Sequence, residues 1–150
     1  MNVETGDSIP EWLMPSVRPE RMRTMAAILR DPNPVHWDPD VCASLGFGDH
    51  VINQGPLGLS YIINMLHAWA GVDCLRRIIM RFPQVVLDED RVAARGRVTG
   101  ISKRNGETLA ECEVWLELLA ARDDDGRNNQ GRGGRLLEGT AIVAVPEPAN

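Results

Sequence analysis

The chain has 150 residues, 43% of them hydrophobic, and a formal net charge of −5. That length builds one sizeable core and is short for two ordinary domains, while the acidic balance argues against nucleic acid, whose phosphates call for concentrated positive charge. No apolar run reaches the roughly 18 residues of a membrane span, and the opening MNVETGDSIPEW lacks the basic end and apolar stretch of a secretory signal. One cytoplasmic domain over 1–150, with no membrane and no nucleic acid among its partners, is the expectation. The three cysteines, Cys42, Cys74 and Cys112, lie among apolar residues without metal-like pairing and read as buried, reduced thiols.

Along the chain, 19–29 (PERMRTMAAIL) opens with a proline suited to a first helical turn and repeats apolar residues at helical spacing, which predicts a short amphipathic helix. In RDPNPVHWD, residues 30–38, Pro32 and Pro34 remove two backbone donors and push Asp31 and Asn33 out of helical dihedrals, so this segment is a shaped loop. A second short helix follows over 39–45, with Asp38 as its cap and Gly46 closing it. The stretch Pro56–Ala70, PLGLSYIINMLHAWA, has no charged side chain and is apolar nearly all round, which predicts a helix enclosed by other structure and ended by Gly71. Strand patterns then cover about 76–86, 91–103, 107–119 and 135–145, with Asn105-Gly106 as a strong hairpin signal. The pattern is α+β: an antiparallel sheet wrapped around one apolar helix. Between the last two strands, about 121–134 is polar and glycine-rich and reads as a flexible loop.

Chemistry concentrates in two places. Asp31 and His36 stand five residues apart on the proline-stiffened loop, so one bend aims a carboxylate and an imidazole at a common point, as proton transfer to and from water requires. The same Asp, Asn and Pro residues also suit a plain surface turn. Further on, Ile52-Asn53-Gln54-Gly55 leads into the apolar helix. The Gly55 N–H then points out of a helix N-terminus, a donor suited to a carbonyl oxygen that gains negative charge, while Pro56 has no N–H to give. His50 and His67 lack the spacing of zinc ligands, and no metal is expected. Tyr61, Met65 and Trp69 recur at helical spacing as core or tunnel wall.

D-P-N-P-V-H (31–36), then S-L-G-F-G (44–48), then I-N-Q-G (52–55) and an apolar helix resemble, in order and spacing, the MaoC-like, (R)-specific enoyl-CoA hydratases over roughly 20–70. The resemblance implies a hot-dog fold and dimers, either of one chain or with a second hot-dog chain. It implies acyl-CoA or acyl-carrier-protein thioesters as substrates and no cofactor beyond the thioester itself. It also implies Asp31 and His36 as the catalytic pair, Asn33 as the shaper of their loop and the Gly55 amide as the group polarising the thioester carbonyl. Arg30 departs from the family's usual glycine, and Gln54 and Pro56 from its usual His and Met. Arg30 is expected to help keep Asp31 ionised by proximity. Gln54, Arg76, Arg77 and Arg81 are candidates for contact with substrate or coenzyme A, the arginines alternatively forming a solvated strand edge. Hot-dog thioesterases commonly use an acidic residue on the central helix, and 57–70 contains none. That favours hydration over hydrolysis, and leaves a supporting subunit of a heteromeric hydratase as the alternative.

Overall fold

The computed structural model describes residues 1–120 and 132–146. Its elements are β1 (Ser8–Met14), α1 (Pro19–Leu29), a 3-10 turn (Pro34–His36), α2 (Pro39–Ser44), α3 (Gly55–Ala70), β2 (Leu75–Arg81), β3 (Arg91–Arg104), β4 (Glu107–Ala120) and β5 (Gly134–Val145). The strands form one antiparallel sheet in the order β1-β3-β4-β5-β2, and α3 packs across all five strands.

Strand alternation decides which face meets the helix. On β4, Ala110, Cys112, Val114 and Leu116 are buried, whereas Glu111, Glu113, Trp115 and Glu117 alternate with them on the outer face. Against that inner face α3 lays Leu57, Gly58, Tyr61, Ile62, Met65, Leu66 and Ala70, all buried. Each large aliphatic side chain so enclosed contributes about 1.5–3 kcal/mol, which outweighs the modest helix propensity of a sequence containing two interior β-branched isoleucines. The outer face carries a cross-strand charge lattice. Arg95 bridges Glu11 and Glu117, Arg97 and Arg135 share Glu113, and the Arg135 guanidinium lies 4.3 Å from the centre of the Trp115 ring.

The β3–β4 hairpin turns on Asn105 and Gly106, whose φ values of 52° and 81° are the left-handed pair that a two-residue hairpin requires. Two expectations change. The strand expected over 76–86 stops at Arg81, because Pro83 cannot donate to a ladder and the chain leaves the sheet to lie beside residues 51–53. A strand not anticipated, β1, forms an edge against β3, with a register shift between Ile9 and Trp12 where Pro10 interrupts the alternation.

Most of the expected loop at 121–134 lies outside the described residues. Its last three residues are tied to the rest of the fold. Arg132 donates to the Asp90 carboxylate and to the Val85 carbonyl, Gly133 exchanges hydrogen bonds with the Gln84 side chain, and Gly134 begins β5. The cysteines are free and buried as expected, and burial pushes the Cys112 thiol up to about 12 and those of Cys42 and Cys74 upward as well. Among the described residues no helix is long and apolar enough to cross a membrane.

Candidate active site

α1 ends by a left-handed closure. Arg30 has φ 52° and ψ 43°, its N–H reaching the Ala26 and Ala27 carbonyls, and the Asp31 N–H returns to Ala26 O at 2.9 Å. This geometry explains a glycine preference at position 30. Among the described residues Arg30 makes no salt bridge with Asp31, so the expected help by proximity is not seen. The loop then tightens on itself. The Asn33 N–H donates to Asp31 Oδ1 at 3.0 Å, and Asn33 Oδ1 caps the 3-10 turn by accepting from the Val35 N–H at 3.3 Å. Asn33 thus shapes the loop, and one oxygen of Asp31 is committed to it.

His36 is fixed from the other side. Its Nδ1 lies 2.6 Å from the Ile52 carbonyl, a group that only accepts, so Nδ1 carries the hydrogen and Nε2 is the nitrogen left for chemistry. Nε2 faces Asp31 Oδ2 at 3.3 Å, with the two side chains 12% and 29% exposed respectively. The pair is therefore enclosed yet reachable.

A strap at 50–54 holds this arrangement to the rest of the molecule. Ile52 N–H donates to Val35 O at 2.8 Å and Asn53 N–H to Val86 O at 2.8 Å, while the buried Gln54 side chain donates to Met22 O at 2.9 Å. Gln54 is 1% exposed and ties α1 to the start of α3 through its bond to Met22. His50 Nδ1 and the Val51 N–H both meet Asp88 Oδ1 at 2.8 Å, clamping the strap's other end.

Gly55 is the first residue of α3, and no acceptor among the described residues faces its N–H. The Phe82 ring occupies the space beside it: a Cβ at position 55 would lie 3.3 Å from Phe82 Cε1. An unspent donor at a helix N-terminus thus follows three residues after the carbonyl that orients His36. An apolar groove of about 290 Å³ runs between α1 and the start of α3, lined by Met25, Ile28 and Leu57 among others.

Of the three arginine candidates, Arg76 pairs with Glu107 and Arg81 with Glu138, the solvated-edge reading. The Arg76 guanidinium holds the Glu107 carboxyl below its usual range. Arg77 is exposed and, among the described residues, has no carboxylate partner. Sequence reasoning did not find the Ile52 carbonyl, a backbone acceptor without a residue signature, nor the His50–Asp88 clamp, whose halves are 38 residues apart.

A five-stranded antiparallel sheet around a central helix, with an Asp/His pair on the loop before that helix, defines a protein of the hot-dog class. The chain belongs to the MaoC-like dehydratase family: the family described as "MaoC like domain" matches residues 6–119. No curated protein sequence matches it significantly. Among solved structures it is similar to the (R)-hydratase PhaJ1 from Pseudomonas aeruginosa, with 20% identity and a TM-score of 0.78 over 97% of this chain and 84% of that one. It is similar to the (R)-hydratase from A. caviae involved in PHA biosynthesis, with 23% identity and a TM-score of 0.77 over 97% and 99% of the two chains. The ChsH1-ChsH2 complex from Mycobacterium tuberculosis matches at 20% identity and a TM-score of 0.75 over 97% and 100%.

Proposed function

We propose that the protein reversibly hydrates a 2-enoyl thioester to the (R)-3-hydroxyacyl thioester, with Asp31 and His36 as the catalytic pair. The observation that carries this reading is the opposition of Asp31 Oδ2 and His36 Nε2 at 3.3 Å, each side chain having its second polar atom already committed elsewhere. An acceptor oxygen on Asp31 and, with His36 protonated, a donor N–H at Nε2 so placed hold one water between them.

In the hydration direction Asp31 Oδ2 takes a proton from that water as its oxygen bonds carbon 3. Protonated His36 gives its Nε2 proton to carbon 2, and transfer of the proton from Asp31 to His36 restores the starting state. The Gly55 N–H donates to the thioester oxygen as it gains enolate character, an interaction strengthened at a helix N-terminus. No redox or metal chemistry enters these steps. The apolar groove beside α1 suits an acyl chain, and Arg77 is the arginine free to meet the phosphates of coenzyme A or of an acyl carrier's prosthetic arm. The relatives crystallised as complexes of two chains support assembly as a dimer, of this chain alone or with a second hot-dog chain.

The test is a panel of 2-enoyl-CoA thioesters of different chain length and branching, followed by loss of the conjugated enoyl absorbance with the purified protein alone. Turnover of any member above the uncatalysed rate supports the reading. A flat response across the panel by folded protein, with and without a candidate partner chain, overturns it.

A further inference from the structure

His36 borders a second cavity that neither Asp31 nor Gly55 lines. It measures about 110 Å³ and is bounded by Pro19, Arg23, Trp37, Pro39, Val51 and Asp88 together with His36. Arg23, Trp37 and Pro39 are exposed and form its rim, whereas Val51 is buried and His36 and Asp88 are largely enclosed. The cavity therefore leads from solvent to the imidazole on a side where Asp31 is not part of the wall.

Its walls are chemically suited to water. A water takes up about 30 Å³ in the liquid and needs two to four polar partners to be held in a protein, so the cavity accommodates about three. Arg23 offers donors. Asp88 Oδ1 is occupied by His50 and the Val51 N–H, while among the described residues Asp88 Oδ2 has no protein hydrogen bond and is left to accept from water.

We propose that this cavity is the passage by which water reaches and leaves the Asp31–His36 pair while an acyl thioester fills the cleft. The inference rests on the hydratase reading and extends it. Dehydration breaks the bond between carbon 3 and its oxygen, releasing the hydroxyl with a proton as one water. Hydration consumes one water, and in both directions the bulky thioester blocks the front of the site at the moment water must move. A rear passage lets that water exchange with solvent while the enoyl thioester is still bound.

An isotope experiment reads this directly. The full-length protein, in its natural assembly, is given a (3R)-3-hydroxyacyl-CoA that it turns over in water enriched in oxygen-18, with excess enoyl-thioester reductase and its nicotinamide cofactor to trap every enoyl molecule that leaves. Label in the remaining hydroxyacyl thioester can then arise only from water exchanged within the bound complex. In the wild type, label should accumulate at a rate comparable to or above that of trapped product. Arg23→Trp and Pro39→Trp, each plugging the rim, should lower the ratio of label to trapped product several-fold, and Arg23→Lys, which keeps a donor there without filling the mouth, should leave it unchanged. Absence of label in the wild type, or an unchanged ratio in both plugged variants when they remain folded and active, overturns the passage while leaving the hydratase reading intact. Failure of the wild type to turn over any hydroxyacyl or enoyl thioester removes both.

Discussion

At the scale of single residues, the Asp31 carboxylate divides its oxygens: Oδ1 holds the loop through the Asn33 N–H, and Oδ2 faces His36. Asp31→Asn keeps an oxygen for the loop bond and removes the proton acceptor. Turnover is expected to fall by about 10²-fold or more, the usual cost of losing a general base, with the melting temperature unchanged. Near-normal hydration by Asp31→Asn would show that this loop is only a turn. His36→Ala should lose activity as well, since it removes the working Nε2. Arg30 makes an independent case, because its left-handed backbone costs roughly 1 kcal/mol in any residue with a Cβ and its side chain makes no salt bridge with Asp31. Arg30→Gly should therefore raise stability by about 0.5 kcal/mol after the entropy of the freer unfolded chain is deducted, with turnover unchanged. Lost turnover would mean that the guanidinium reaches the site after all. The sequence made the pairing of Asp31 with His36 legible because two prolines fixed a short local loop. The inward bond of Gln54 to Met22 was not legible, because nothing local distinguishes a polar side chain that ties two helices from one on the surface.

At the scale of elements, α3, β3, β4 and β5 were legible to within a residue or so because each carries a strong period or a diagnostic turn. β1 and the end of β2 were not, since edge strands are defined by which neighbour they meet and not by their own alternation. The attachment of β2 hangs on one glycine: a Cβ at Gly139 would overlap the Ile79 carbonyl oxygen, and backbone cannot give way as a side-chain tip can. Gly139→Ala should cost about 3 kcal/mol, the upper range of overpacking, read as a lowered denaturant midpoint. An unchanged midpoint would mean that β2 can shift without loss. A second joint is the largely buried Arg132–Asp90 pair, which ties the start of β5 to the turn before β3. Removing one partner of such a pair leaves the other charge unmatched, and Arg132→Met should destabilise the fold by about 3 kcal/mol. Loss of less than about 1 kcal/mol, the range of a surface pair, would reduce it to a minor contact.

For the molecule as a whole, the central helix is fully buried on one side only. The side of α3 turned from the sheet presents Pro56, Leu59, Ser60, Ile63, Asn64, His67 and Ala68, exposed or half-buried and without a formal charge other than that of a protonated histidine. An all-apolar helix of this kind is ordinarily enclosed. β2 forms an open sheet edge, and the exposed Phe82 ring just after it lies against Gly55 at the start of the helix. The opposite edge, β1, is interrupted by Pro10 and a register shift, devices that discourage strand addition, and the outer sheet face is already occupied by its own charge lattice. The uncharged side of α3 together with the β2 edge is the surface expected to associate, and the expected state is a dimer through it. Ile63→Glu and Phe82→Lys, each placing a charge there at little cost to the isolated chain, should shift the protein toward monomer. Sedimentation velocity at micromolar concentration checks both statements. A wild-type monomer, or dimers indifferent to the two charges, would mean that this surface has another occupant or none.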